Sequence, residues 1–194
     1  MYRKKTKKIS NLKALITILF ISLSATGASE NNPNLMTTPP KPTEWRAFLK
    51  FSKNQHQQLW QSLSAQGQKM SHWAWQWRMA WVRSCLERPA SPKKDYCWGV
   101  LNQAAADKAA VVRGEAAKTI GLAKALNAEF IDILKSIYNH PKNFRHGKPL
   151  FVPYHVLDAL TRHNTKAAKT AGQSLSSQHP HTKSYWQDLV AKPR

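Results

Sequence analysis

Val112-Arg113-Gly114-Glu115-Ala116-Ala117-Lys118-Thr119-Ile120 is the stretch on which the reading of this chain turns. Its order is apolar, Arg, two variable residues, two apolar, basic, small, apolar. The same order stands 35 residues earlier in Trp77-Arg78-Met79-Ala80-Trp81-Val82-Arg83-Ser84-Cys85. Forty residues later, Val152-Pro153-Tyr154-His155-Val156-Leu157-Asp158-Ala159-Leu160 keeps the apolar positions and loses the Arg. Tyr185, Leu189 and Val190 hint at a degraded fourth copy. Each copy follows another amphipathic segment, giving four helix pairs. A single pair cannot bury its own apolar faces, so pairs repeating every 35 to 40 residues predict stacking of neighbours into an α-solenoid.

Outward from this core, helix signals are nearly continuous. Thr43 is a candidate cap for a helix presenting Trp45, Phe48 and Leu49, and the pattern weakens from Ser52 to Gln58 before resuming at Leu59, Trp60 and Leu63. Between Met70 and Leu86, Trp73, Trp75 and Trp77 alternate as a strand would. Trp73, Trp77 and Trp81 nonetheless follow i, i+4, i+8, and 17 residues without Gly or Pro exceed an ordinary strand. The spacing predicts one helix over 70–86, apolar on two sides. Further helices are expected at about 95–106, 109–123, 128–139, 150–163, 165–177 and 182–191, with Asp95 and Asn127 as N-caps and Pro153 in a first turn. Pro141, Gly147 and Pro149 confine a basic loop, and no segment reads as a strand. The expected fold is therefore all-α, an α-solenoid of about four antiparallel helix pairs.

The run Asp107-Lys108-Ala109-Ala110-Val111-Val112-Arg113-Gly114-Glu115-Ala116-Ala117-Lys118-Thr119-Ile120-Gly121 resembles the second-helix signature of HEAT repeats, in particular the short bacterial type. The resemblance implies that Asp107 sits at an inter-repeat turn and that Arg113 bonds across repeats near the start of an inner helix. It also implies that Ala116, Ala117 and Gly121 set close helix packing. Lys108 replaces the family's frequent Pro, the 152 copy has no Arg, and the 77 copy carries bulky Trp where Ala is usual. Tetratricopeptide repeats share the period, but their Trp-Leu-Gly-Tyr pattern is absent.

The 194 residues carry 30 Lys+Arg against 10 Asp+Glu. Six of those cations lie in residues 1–13, ahead of an apolar run from Ala14 to Leu23 and the small residues Ala25-Thr26-Gly27-Ala28. This is the arrangement of a secretory signal peptide, 1–28, cleaved near Ala28, with an uncleaved anchor as the alternative. Residues 29–42 read as a flexible Pro-rich leader and 43–194 as the repeat domain. Export would place the protein in the periplasm or outside the cell. Without residues 1–28, 24 basic and 10 acidic side chains remain, a charge of +14, which draws a protein to anionic surfaces. Nucleic acid is not an expected partner in such a compartment. Cys85 and Cys97, separated by a segment holding Pro89 and Pro92, are expected to form a disulfide. Their spacing supports neither a CxxC redox pair nor a zinc site.

No phosphate loop, dinucleotide fingerprint, HExxH motif or nucleophile elbow occurs. Glu115, Asp158 and Asp188 fall on expected helices without a spacing that predicts convergence. Six of the eight histidines lie between His140 and His181, and the simplest reading is a solvated basic face. The leading expectation is a non-enzymatic binding or scaffold protein without cofactor or metal, whose inner helices face another protein of the cell envelope. Trp75, Trp77, Arg78, Arg83 and Arg113 are the candidate contacts, with Arg113 alternatively structural. The second expectation is electrostatic binding of an anionic envelope polymer or membrane surface through Lys142, Arg145, His146 and Lys148. A third, a lyase or a chaperone for cofactor attachment, rests on the HEAT-like resemblance alone.

Overall fold

The computed structural model describes residues 45–67, 69–86 and 96–192. The expected signal peptide and leader, the caps at Thr43 and Asp95 and the Pro89–Pro92 loop lie outside the described residues. Helices α1 (Trp45–Phe48), α2 (Lys53–Ala65), α3 (Trp75–Arg83), α4 (Tyr96–Ala105), α5 (Ala110–Gly121), α6 (Ala128–Tyr138), α7 (Phe151–Arg162), α8 (Lys166–Ser176) and α9 (Pro180–Ala191) carry the fold. These belong to a unit running from Pro33 to Arg194, and the core, disulfide and hydrogen bonds described below lie within it.

Local chemistry sets the helix ends. Ser52 and Gln55 form a reciprocal capping box: Ser52 Oγ accepts from the Gln55 N–H at 3.3 Å, and Gln55 Oε1 accepts from the Ser52 N–H at 2.8 Å. This starts α2 six residues before the apolar pattern resumes. Asn127 caps α6, its Oδ1 accepting from the Phe130 N–H, and Pro180 occupies the first turn of α9, where its missing N–H is harmless. The single helix expected over 70–86 is interrupted. A 3-10 turn, Met70–His72, ends at Trp73, and α3 begins two residues later. The reason is Arg78, whose guanidinium takes the Trp73 carbonyl, so that oxygen accepts from a side chain and not from the next helical turn.

Packing alternates along the chain. Helix α3 lies against α5, α5 against α7 and α7 against α9, while α2 lies against α4, α4 against α6 and α6 against α8. Sequence neighbours from α3 to α9 also touch. Glycines let α5 approach α7 closely: a Cβ on Gly121 would stand 2.9 Å from Ala159 Cα and one on Gly114 would stand 2.9 Å from the Phe151 ring. Ala116, Ala117, Val156 and Leu160 are fully buried there. At the other end, Trp81 is enclosed by the rings of Phe48 (centroids 4.6 Å apart), Trp60 (5.1 Å), Trp73 and Tyr96. Aromatic burial there replaces the aliphatic packing of the later helices. Cys85 and Cys97 are bonded, with Cα atoms 5.5 Å apart, stapling the end of α3 to the start of α4.

One short strand pair departs from the all-helical expectation. Phe144–Arg145 pairs antiparallel with Lys148–Pro149, Phe144 opposite Pro149. His146 (φ 50°) and Gly147 (φ 72°) make the turn, both in the left-handed region that a two-residue hairpin of this kind demands. Among the described residues no helix is long and apolar enough to cross a membrane.

Candidate functional site

The two repeated arginines organise the linkers between helices. Arg78 is buried; its Nε donates to Asp107 Oδ2 at 2.6 Å and its Nη2 to Asp107 Oδ1 at 3.0 Å. Arg113, fully buried, donates Nη1 to the Asp107 carbonyl at 2.5 Å, and Nε (3.0 Å) and Nη2 (2.6 Å) to Asn143 Oδ1. Asn143, itself fully buried, donates Nδ2 to the Ile137 carbonyl. Each arginine thus grips the backbone of the linker before its own helix and the side chain of the next linker. Burial pushes the Arg113 guanidinium down from its ordinary value, and the Asp107 charge pulls it back up. Planar forks suit this work, because one guanidinium satisfies several buried acceptors.

These rungs settle where the expected contact residues stand. Trp77, Arg78 and Arg113 are in the interior and hold no surface position. Asp107, Ala116, Ala117 and Gly121 are buried among neighbouring helices, as close packing requires. Trp75 is 47% exposed at the first residue of α3. Arg83 is part-exposed and donates to Glu115 Oε1 at 2.8 Å, crossing from α3 to α5. Lys142, Arg145, His146 and Lys148 are all exposed on and beside the hairpin.

The linkers are tied into one edge. Arg78 joins 73 to 107, Arg113 joins 107 to 143, the Phe144 ring lies 4.4 Å from the His179 ring, and Tyr138 Oη donates to Thr182 Oγ1 at 2.9 Å. Along this edge stand exposed Lys69, Lys108, Lys142, Arg145, Lys148 and Lys183, with His72, His146 and His181 exposed and His140 and His179 half-buried. Its sole described carboxylate is Asp107, which is buried and spends both oxygens on Arg78 and the Ala109 N–H. His140 is pushed down by burial and by the Arg113 and Lys142 charges, which outweigh Asp107. Between the first two linkers lies a cleft of about 460 Å³ lined by Lys69, Ser71, Gln103, Ala106, Asp107 and Lys108. The histidine cluster noted in the sequence divides accordingly, since His155 and His163 lie on α7 and its C-cap.

A second surface, the open side of α3, α5, α7 and α9, carries a polar chain. Tyr185 Oη donates to Asp158 Oδ1 at 2.7 Å, and His155 Nδ1 lies 3.9 Å from Asp158 Oδ2. Burial and then the Asp158 contact push the Tyr185 hydroxyl up to about 12, while burial, followed by Lys118, pushes His155 down. Of the three acids noted in the sequence, Glu115 pairs with Arg83 and Asp158 accepts from Tyr185, and the charges of both reach His155. Among the described residues no three His, Cys, Asp or Glu side chains are grouped to hold a metal. A further groove of about 710 Å³ runs between α6 and α8, floored by Leu126, Ile131, Ala167 and Ala171; of its charges, Asp132 and Lys135 pair with each other at 3.0 Å and Lys166 also lines it.

Asn143 is the buried linker residue of this arrangement that composition and motifs do not reveal. Its signal is positional: it stands 36 residues after Asp107, an Asx side chain in the corresponding linker. Comparison with models of known protein families, with curated proteins and with solved structures finds no match.

Proposed function

We propose that this chain is an exported, non-enzymatic helical-repeat protein of HEAT-like construction that binds an anionic ligand of the cell envelope along its linker edge. The observation that carries the reading is the charge pattern of that edge: six exposed Lys and Arg, and one carboxylate already consumed in the interior. Alternate-helix packing and the Asp107–Arg113–Asn143 rungs support a solenoid of four pairs, α2/α3 to α8/α9. The rungs fix the linkers relative to one another, so the cations form a preorganised array whose repulsion is built in and which an anionic ligand relieves. Export rests on the basic and apolar N-terminal sequence and agrees with the Cys85–Cys97 bond.

The test is equilibrium binding of inorganic polyphosphate across a salt series. Four to six contacts give a steep fall in affinity as salt rises, close to one power of salt per contact. Salt-independent binding, or none at low salt, refutes the reading. A second reading, a protein partner on the side of α3, α5, α7 and α9 that carries Arg83, Glu115 and Asp158, is favoured by the part-exposed Met79 and Arg83 on α3 and the part-exposed Tyr154–Tyr185 ring pair (4.9 Å). It predicts a complex that survives high salt and is lost on Arg83→Ala.

A further inference from the structure

Six large apolar side chains among the described residues are exposed: Trp75, Val111, Leu122, Leu150, Phe151 and Val190. Four of them stand at the starts of α3, α5 and α7 in two adjacent registers, Trp75 corresponding to Leu150 and Val111 to Phe151. Trp75 is the first residue of α3, Val111 the second of α5, Leu150 the N-cap of α7 and Phe151 its first residue. Each therefore stands where a linker of the basic edge passes into its helix. Because α3, α5 and α7 lie side by side, these side chains form an apolar rim along the cationic edge. The Phe151 ring lies so close over α5 that a Cβ on Gly114 would meet it, which joins the Val111 and Phe151 segments of the rim.

An aqueous polyanion explains the cations but gives no use for a row of half-exposed Trp, Val, Leu and Phe beside them. An anionic bilayer uses both. Lys and Arg engage the headgroups, while aromatic and aliphatic side chains enter the boundary between headgroups and acyl chains, where Trp is especially favoured. The hairpin adds geometry: the turn at His146-Gly147, held by strand pairing and by the Leu150 N–H to Asn143 carbonyl bond at 2.8 Å, carries Arg145 and Lys148 as a fixed projection next to Leu150 and Phe151. Asn143 beneath it is locked by Arg113, so the projection is braced against the core. The cleft of Lys69, Ser71, Gln103 and Lys108, whose one carboxylate Asp107 is already held by Arg78, has the size and donors to receive a phosphate headgroup.

We infer that the linker edge, with the rim of Trp75, Val111, Leu150 and Phe151, is a docking surface for an anionic phospholipid bilayer, on which the protein lies peripherally. This rests on the anionic-ligand reading above and names its source.

The experiment is vesicle co-sedimentation of the mature chain, residues 29–194, on phosphatidylcholine vesicles with and without phosphatidylglycerol. Inorganic polyphosphate binding is measured beside it. Three proteins are compared: the parent, Trp75→Ala with Phe151→Ala, and Lys142→Glu with Arg145→Glu and Lys148→Glu. The parent binds only the anionic vesicles. The apolar variant loses about tenfold on vesicles and nothing on polyphosphate. The charge variant loses about a hundredfold or more on both, at roughly fivefold per basic side chain near a bilayer. Vesicle binding unchanged in the apolar variant overturns the bilayer inference while leaving polyanion binding intact. Both ligands bound as before by the charge variant overturns the underlying reading too. Trp75→Ala alone, at an exposed site, guards against a folding defect in the pair.

Discussion

Removing Arg113 tests whether the rungs hold the helices in register. The side chain donates three hydrogen bonds to two buried acceptors, the Asp107 carbonyl and Asn143 Oδ1. In Arg113→Ala both acceptors lose their guanidinium donors, at about 1–3 kcal/mol each, and the void left by a fully buried long side chain adds to this. Relief of the cost of burying the guanidinium, visible in its lowered pKa, offsets part. The net expectation is a loss of about 3–5 kcal/mol from the two orphaned acceptors and the void together. Against a total of about 5–15 kcal/mol, that is a large fraction. Asn143→Ala strips the acceptor from two of the three bonds and is expected to cost about 2–3 kcal/mol. Because both variants break the same contact, the double variant should fall short of their sum by about 1.5–3 kcal/mol. The assay is urea unfolding with the disulfide intact. A loss below about 1 kcal/mol for Arg113→Ala, or strict additivity, refutes a structural rung and would return Arg113 to the list of binding residues.

Four further outcomes follow from the structure. Reducing the Cys85–Cys97 bond, which spans 12 residues, should lower stability by about 3 kcal/mol, read from urea midpoints with and without reductant; an unchanged midpoint would show that the bond constrains nothing. Gly121→Ala should destabilise by about 1–3 kcal/mol, because the new methyl meets the Ala159 backbone at 2.9 Å, and calorimetry showing no change would mean that α5 and α7 separate freely. His146→Asn at φ 50° should stabilise the hairpin by a few tenths of a kcal/mol, since Asn-Gly suits this turn better; a lower melting temperature would contradict the turn assignment. Tyr185 should ionise near 12 by ultraviolet titration. Its raised folded value means that its share of stability is present below the free tyrosine value of about 10 and is lost as pH climbs from there toward 12. Asp158→Asn should bring that titration back down, and an unmoved titration would remove Asp158 from its causes.

The helices from α4 onward were legible because their apolar periodicity is undisturbed, and the Arg78/Arg113 repeat already pointed to corresponding positions. The sequence could not say whether those arginines face outward. An Arg between apolar residues on a helix reads equally as surface contact or buried fork, and only the position of Asp107 and Asn143 in the next linkers decides it. Trp75 and Trp77 show the same limit. Two residues apart, they lie on nearly opposite sides of α3, and which side meets α1, α4 and α5 is a tertiary fact. The break before α3 was hidden because nothing in Trp73-Ala74 disfavours helix; the carbonyl demanded by Arg78 imposes it. The early start of α2 was present in Ser52-Lys53-Asn54-Gln55 as a capping-box signature. The hairpin lay inside a loop whose Phe-Arg-His-Gly-Lys-Pro run is too short to show alternation. The basic edge was visible only as one loop, since Lys69, Lys108 and Lys183 are distant in sequence and come to one side through the packing of alternate helices.

The most direct test asks whether position or net charge governs ligand binding. Lys142→Glu, Arg145→Glu and Lys148→Glu on the linker edge change the total charge as much as Lys124→Glu, Lys166→Glu and Lys169→Glu away from it, all six residues being exposed. Measured against polyphosphate at one ionic strength, the first triple variant should lose at least about a hundredfold while the second stays within a few-fold of the parent. Equal losses in the two would show that the protein binds through its overall charge and that the linker edge is not a site.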